Sequence, residues 1–304
     1  MAAAQDTLGA AAEADGIRVL SDAESVGAVR TLCWHRPSKR NAINLSMYRA
    51  MTLALREAEA DPAVKVIVVA GSEHEGAAAF TAGNDLSDFA TPASGAPTSA
   101  DGVVDRDAAA AAVAALQPVL DFLHTLNRVR KPILASVRGP AVGIGTTMLL
   151  HCDIVCAGDD ARFAMPFTAL GLCPEAGASL LLPRLVGYQR AARMLLLGEP
   201  FDARQALACG LVGEVLPSGQ VDAHVLALAR RLASLPEAAV RATKALMKPD
   251  RSDPSDVSEG ADTAHGIATT AAQITREAAI FADLLQSPAA QQRIRAIGSK
   301  TKSG

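Results

Sequence analysis

Short apolar runs alternate with amphipathic segments over residues 17–200. A β-branched run at 64–70 predicts a strand covered on both faces, and 132–137 predicts a second buried strand. Helical spacing of apolar residues predicts one helix from Ser46, its expected cap, to Asp61, and another over 108–130, which Pro118 is expected to kink. Because strands and helices alternate, the pattern predicts an α/β core.

Shorter elements complete this pattern. Strands are predicted at 17–21, 28–33, 153–157, 162–164 and 213–216, and helices at 143–151, 180–186, 189–197 and 203–209. A loop is predicted at 71–79, and a short helical turn after the segment 80–86.

The remaining segments divide the chain into three parts. Residues 1–16 are alanine-rich and predict a disordered arm, 17–200 form the core, and 201–304 form a helical C-terminal region with helices at 221–235, 237–247 and 259–286. These helices are amphipathic and are expected to cover the core or a neighbouring subunit. Residues 90–107 hold almost no bulky apolar side chain and predict a mobile insert.

Charge and composition argue against two classes of partner. A net charge of -3 and 3% aromatic residues give neither a basic field nor stacking surfaces for nucleic acid. The longest candidate membrane span, 141–158, contains His151 and Asp153, so no membrane partner is expected. The N-terminus has no basic residue of a signal or presequence, and the C-terminal tripeptide is not the peroxisomal one, so we expect a cytoplasmic protein.

Metal and disulfide chemistry receive little support from the sequence. The five cysteines are odd in number and show no paired CxxC spacing, so buried reduced thiols are predicted: Cys33, Cys152, Cys156, Cys173 and Cys209. No histidine has a second ligand at metal spacing, and His151, which ends an apolar run, is predicted to be a core or interface histidine.

A glycine-containing turn is the first candidate for chemistry. Gly143-Ile144-Gly145 precedes a predicted helix, whose first N–H groups lack internal partners and can donate to a developing oxyanion. A tight packing turn would leave the same pattern, so both readings stay open at this point. The sequence lacks GxGxxG, Walker A and GxSxG motifs, which removes support for dinucleotide, phosphate-loop and serine-hydrolase functions.

Several motifs in order carry a family resemblance. The segments 80–86 (FTAGNDL), 131–143 (KPILASVRGPAVG) and 152–155 (CDIV) resemble the enoyl-CoA hydratase/isomerase (crotonase) superfamily, and the likeness extends from about 17 to 286. It implies a crotonase-like fold of repeated ββα units and an acyl-CoA substrate in fatty acid beta-oxidation. It also implies no cofactor beyond the coenzyme A thioester, and a homotrimer or hexamer.

The resemblance also assigns the binding groups. Two backbone N–H groups, of Asn84 and Ile144, would form an oxyanion hole for the thioester oxygen. Contacts to coenzyme A or substrate are expected at Ala42, Thr81, Ala82, Gly83, Asp85 and Gly143. Arg36, Lys39 and Arg40 could meet the phosphates or form a solvated loop, and Asp85 could instead cap the short helix that follows it.

The carboxylates distinguish the branches of this superfamily. The hydratases use two glutamates, and the corresponding positions here hold Thr147 and Phe167. Pro174-Glu175 resembles the Pro-Glu of the peroxisomal-type Δ3,Δ2-enoyl-CoA isomerases, which implies that Glu175 alone shifts a 3-double bond to the 2-trans position. Three alternatives remain: a structural glutamate at the next helix, a hydratase or another crotonase-family acyl-CoA activity with its base elsewhere, and a non-catalytic acyl-CoA-binding protein.

Overall fold

A large mixed sheet organises the protein. The computed structural model describes residues 12–14, 16–74, 76–89, 116–248 and 269–300. Within them, seven strands pair in the order β1-β2-β3-β4-β7-β9-β12, antiparallel from β1 to β3 and parallel from β3 onwards. Their bounds are β1 Ala12–Ala14, β2 Ile17–Ser21, β3 Val29–Trp34, β4 Val66–Gly71, β7 Ile133–Val137, β9 Ile154–Gly158 and β12 Glu214–Leu216.

A second, smaller sheet lies where the predicted glycine turn begins. It contains β8 (Pro140–Val142), β10 (Arg162–Ala164) and β11 (Phe201–Asp202), with β8 and β10 parallel. The loop prediction at 71–79 was wrong in part, because β5 (Glu73–His74) and β6 (Ala77–Ala78) form a small hairpin there. Such two-residue strands carry too little alternation to be predicted.

Helices cover both faces of the large sheet. One face packs against α1 (Leu45–Ala60) and α2 (Gln117–Arg128), and the other against α7 (Val221–Ala233). Val69 contributes to the first core and Val68 to the second, because successive strand residues point to opposite faces. This two-sided burial explains the unbroken β-branched run and confirms the predicted strand.

The starts of two helices differ from the predictions. Asn44, not Ser46, caps α1, since the Asn44 Oδ1 accepts from the Met47 amide at 2.9 Å. Pro118 falls in the first turn of α2, where its missing N–H breaks no hydrogen bond and no kink is required. The rest of that predicted helix, 108–115, and the predicted insert at 90–107 lie outside the described residues.

Short helices connect the sheets to the C-terminal region. They are α3 (Ile144–Thr147), α4 (Ala178–Val186), α5 (Tyr188–Ala192) with a wider turn to Leu197, and α6 (Ala203–Ala208), together with 3₁₀ turns at Pro37–Lys39, Leu86–Phe89, Met148–His151, Thr168–Leu170 and Ser218–Gln220. The turn at Leu86–Phe89 confirms the short helical turn predicted there.

The C-terminal region is helical, as predicted. It contains α8 (Glu237–Met247), α9 (Thr270–Leu285) and α10 (Pro288–Lys300); the predicted residues 259–268 lie outside the described part, and α10 was not predicted. Ala12–Ala14, which were predicted to belong to the disordered arm, pair with β2, and residues 1–11 lie outside the described part. All five cysteines are free thiols. Among the described residues, no helix has the length and apolarity needed to cross a bilayer.

Candidate active site

An isolated parallel β-bridge brings the two predicted turns together. Thr81 N donates to the Pro140 carbonyl and Val142 N donates to the Thr81 carbonyl, each at 3.0 Å, so Thr81 pairs with Ala141 in parallel. Asn84 lies three residues beyond one member of this pair, and Ile144 three residues beyond the other. The two turns therefore follow the same β-bridge and lie side by side.

Glycine allows this close approach. Gly83 has φ +91°, and a Cβ atom there would lie 2.8 Å from the Val142 carbonyl oxygen. Gly145 lies against Thr81, whose Cγ2 would be 2.6 Å from an added Cβ. Gly143 has φ +56° and ψ −117°, a region that glycine alone adopts readily. Gly83 and Gly145 are thus required by the packing of one turn on the other, and Gly143 by its own backbone conformation.

Residues of both turns line a common cavity of about 310 Å³. Asn84 and Ile144 line it, and within the described ranges neither amide nitrogen donates to another residue. A hydrogen bond fixes the Asn84 side chain, since its Oδ1 accepts from the buried Tyr48 hydroxyl at 2.5 Å. This arrangement can stabilise an oxyanion, and it includes Tyr48, which the sequence did not reveal.

Glu175 is a buried carboxyl group, and one of its two oxygens accepts a hydrogen bond. The side chain is 6% exposed, its Oε1 accepts from the Thr147 hydroxyl, and its Oε2 has no partner among the described residues. Burial raises the pKa of Glu175 to about 8; the Thr147 hydrogen bond opposes this rise, and the charge of Glu277 adds to it. A carboxyl group in this state can accept and return a proton near neutral pH.

Glu175 opens into a narrow cavity of about 20 Å³ between α2 and α9. This cavity adjoins the larger one, because Asn84, Phe89 and Phe281 line both. Of the described residues that line either cavity, Glu175 is the sole ionisable one. Asn84, Ile144 and one carboxylate therefore line two adjoining and largely apolar cavities.

Comparison with known proteins identifies the family. The family model described as Enoyl-CoA hydratase/isomerase matches residues 24–283. The chain belongs to this family. The crotonase-like fold is confirmed as well, since the solved structure of Pseudomonas aeruginosa OdaA superimposes with a TM-score of 0.74 at 38% identity and covers 93% of this chain and 99% of that one.

The relatives in the enoyl-CoA hydratase/isomerase family include proteins named as isomerases and proteins named as hydratases. Enoyl-CoA delta isomerase 2 of Rattus norvegicus is 36% identical over 240 residues, which are 79% of this chain and 56% of the rat protein. The chain thus spans little more than half of that relative. The 2,3-dehydroadipyl-CoA hydratase of Escherichia coli K12 is 34% identical over 220 residues, 72% of this chain and 78% of that protein. The matched relatives of this chain therefore include both an isomerase and a hydratase.

The contacts with coenzyme A that the family resemblance implied fall into two groups. Ala82, Gly83 and Gly143 line the larger cavity, whereas Ala42, Thr81 and Asp85 do not. The Thr81 hydroxyl donates to the Asn41 carbonyl at 2.6 Å, so its side chain holds the turn together. Contacts of all six with coenzyme A stay a prediction.

Arg36 connects two of these outlying positions. Its guanidinium donates to the Ala42 carbonyl at 3.1 Å and to the Asp85 carboxylate at 2.6 Å. The Asp85 Oδ1 also accepts from the Ser87 amide at 3.1 Å and so caps the turn Leu86–Phe89, which is the structural alternative considered for Asp85. Arg36 therefore orders the first turn of this family's site.

His151 is a core histidine, as predicted. It is fully buried, and its Nε2 lies 2.7 Å from the Ala176 carbonyl, next to Glu175.

One group of three metal-capable side chains occurs in the part of the chain that the structure describes: Cys156, Glu214 and His224. It lies on the α7 face of the large sheet, opposite Glu175, and burial raises the pKa of Cys156 to about 11, which disfavours the thiolate a metal would need. A further cavity, about 370 Å³, lies beside Arg190 and Cys209 and holds none of the predicted site residues. We assign neither feature to the reaction.

Proposed function

We propose that this enzyme converts 3-enoyl-CoA into 2-trans-enoyl-CoA with Glu175 as its single base. The observation that carries the proposal is that Glu175 is the sole ionisable side chain among the described residues lining the two adjoining cavities. A double-bond shift needs one proton shuttle, whereas the family's hydratases use two glutamates, at positions that hold Thr147 and Phe167 here.

The first step is proton abstraction from C2 of the substrate. Ionised Glu175 takes the proton on Oε2, the oxygen without a protein partner, and the C–H electron pair forms a C1–C2 double bond. The thioester oxygen becomes an oxyanion and accepts from the amides of Asn84 and Ile144. Each such donor typically contributes about 3 kcal/mol to the stabilisation of the developing charge.

The second step returns the same proton at C4. The enolate electrons reform the carbonyl and make the C2–C3 double bond, and the C3–C4 π pair takes the proton from Glu175, which ends as a carboxylate. Atoms and charge balance over the cycle without a cofactor. The pKa of Glu175, raised to about 8 by burial, suits a group that must both take and give a proton.

Apolar side chains support two further parts of the proposal, which are the binding of acyl-CoA and the assembly of subunits. Leu120, Leu123 and Ile274 give the narrow cavity beside Glu175 an apolar wall, and the larger cavity has room for part of an acyl-CoA. Tyr188, Leu196 and Leu197 are exposed apolar side chains, at 70%, 65% and 60%, and are candidates for contacts between the subunits of a homotrimer or hexamer. Sedimentation of the purified protein would test the assembly.

Two substrates test the reaction. Purified enzyme is incubated with 3-hexenoyl-CoA and, separately, with crotonyl-CoA, and products are separated by chromatography. We expect isomerisation of the first; hydration of the second without isomerisation would favour a hydratase and reject the proposal. Binding without turnover of either would favour the non-catalytic alternative.

A matched pair of variants tests the base. Glu175→Gln should abolish turnover and leave acyl-CoA binding nearly intact. Glu199→Gln removes an exposed carboxylate that pairs with Arg193 at 2.9 Å and should leave the rate unchanged. Full activity in Glu175→Gln would remove Glu175 from the mechanism.

A further inference from the structure

The backbone directly after Glu175 is held in an unfavourable conformation. Ala176 has φ +62° and Gly177 has φ +70°, so two consecutive residues are left-handed. For alanine this conformation costs about 1–2 kcal/mol, and it persists only where surrounding contacts impose it. The groups that hold this turn therefore decide where the Glu175 side chain points.

Glu277 holds the turn from one side. It lies on α9, is 4% exposed, and receives three hydrogen bonds from the start of α4. Its Oε2 accepts from the Gly177 amide at 2.6 Å, and its Oε1 accepts from the Ser179 amide at 2.9 Å and the Ser179 hydroxyl at 2.5 Å. A carboxylate binds such free helix-start donors more strongly than a neutral group does.

Two further side chains form hydrogen bonds that hold this turn. His151 Nε2 donates to the Ala176 carbonyl at 2.7 Å from the opposite side of the turn. Gln273, one helical turn before Glu277 on α9, donates to the Ser179 hydroxyl at 2.7 Å. The turn is thus fixed between α9 and the 3₁₀ turn Met148–His151.

The helix that carries Glu277 also forms a wall of the site. Ile274, Ala278 and Phe281 of α9 line the narrow cavity into which Glu175 opens. We propose that Glu277 is a positioning residue, whose carboxylate holds the turn Ala176–Gly177 and thereby aims the free oxygen of Glu175 at the substrate. The inference rests on the proposed function only in taking Glu175 as the base.

The charge of Glu277 gives this role a second readout. After burial, that charge is a cause of the raised pKa of Glu175, so its removal should lower the pKa of the base. The other titratable groups nearby are Cys173, whose pKa burial raises to about 11, Tyr48, whose pKa burial raises well above 10, and His151. On the outer side, His124 of α2 lies 3.4 Å from Thr275 of α9, and burial lowers the pKa of this histidine.

Three variants separate position from charge. Glu277→Gln removes the charge and turns an amide N–H₂ towards a backbone N–H, so at least one hydrogen bond is lost. Glu277→Asp keeps the charge but is one methylene too short to keep all three contacts. Asp283→Asn makes the same charge change at an exposed site on the same helix and serves as the control.

The measurement is the pH profile of kcat and kcat/KM with 3-hexenoyl-CoA. We expect kcat to fall about tenfold or more in both Glu277 variants, with little change in KM, and the acid limb to move to lower pH in Glu277→Gln only. Asp283→Asn should match the wild type. A folded Glu277→Gln with the wild-type kcat and profile would overturn the inference. Where Glu277→Gln does not fold, Glu277→Asp decides, and a kcat within about twofold of wild type overturns it.

A measurement without substrate separates this inference from the proposed function. The carboxyl ¹³C signal of Glu175, assigned by its loss in Glu175→Gln, is titrated in the wild type and in Glu277→Gln. A wild type that does not isomerise 3-enoyl-CoA rejects the proposed function alone. A Glu175 pKa that is the same in both proteins contradicts the electrostatic influence of Glu277 on the base and counts against the inference.

Discussion

Replacement of Glu175 by glutamine should stabilise the protein increasingly as the pH rises. The pKa of this carboxyl is raised from 4.5 to about 8, chiefly by burial. Below pH 4.5 the group is protonated in both the folded and unfolded states, so its titration does not change the free energy of unfolding. Between 4.5 and 8 the unfolded chain ionises while the folded protein keeps its proton, so the free energy of unfolding falls with pH until it levels off above 8.

The size of the effect follows from the two pKa values. Each pH unit in this interval removes about 1.4 kcal/mol, so the ionised carboxylate destabilises the folded state by on the order of 5 kcal/mol. Glutamine does not titrate and avoids this loss. Its amide N–H₂ at the unpartnered Oε2 position costs about 1–3 kcal/mol, but that cost is the same at every pH.

The assay is urea unfolding of wild type and Glu175→Gln at one protein concentration, from about pH 5 to about pH 8. The stability of the variant relative to wild type should rise by on the order of 3 kcal/mol over that range. Glu277 titrates in both proteins, so the difference between their curves reports mainly on Glu175, and Glu199→Gln serves as the exposed control. Parallel curves for wild type and Glu175→Gln would refute the reasoning, because the base would then not be held protonated by its surroundings.

Three further outcomes test the site. Thr147→Val removes the donor that lowers the pKa of Glu175, so the acid limb of kcat/KM for 3-hexenoyl-CoA should move to higher pH; an unmoved limb contradicts the contact. Gly143→Ala should cost about 1–3 kcal/mol of stability and lower kcat by about tenfold or more, whereas Gly27→Ala, also at positive φ with open space around it, should lower stability alone; equal activities would contradict the role of this turn. Dialysis against EDTA should leave isomerisation within about twofold, and a loss restored by added metal would contradict a reaction without a metal.

The sequence predicted the elements whose pattern is set by burial on both sides. The run at 64–70 is recovered as Val66–Gly71, because a strand between two helical layers must be apolar at every position. The two glycine turns and Glu175 were found through motifs that lie in order along the chain. The cap of α1 was misplaced because Asn44 and Ser46 are both good capping residues, and only the geometry shows which one accepts from the helix.

The contacts that complete the site could not be predicted, because they join distant parts of the chain. Tyr48 reaches Asn84 across 36 positions, and Glu277 reaches Gly177 across 100. No periodicity connects such pairs, since each depends on how α1 and α9 pack against the turns. A buried glutamate on an amphipathic helix, such as Glu277, could have been noticed as an acid on the apolar face of α9, but its partner could not.

Thr147 shows why the absence of a second glutamate has a positive consequence. A carboxylate so near Glu175 would form a pair of like charges and divide the titration between two groups. The Thr147 hydroxyl instead donates to one oxygen of Glu175 without titrating, and the other oxygen has no partner among the described residues. In the proposed mechanism Glu175 therefore has one reactive oxygen, and its pKa is set by burial, by one neutral donor and by the charge of Glu277. A residue that marks the loss of one chemistry in the sequence thus supports the other in the structure.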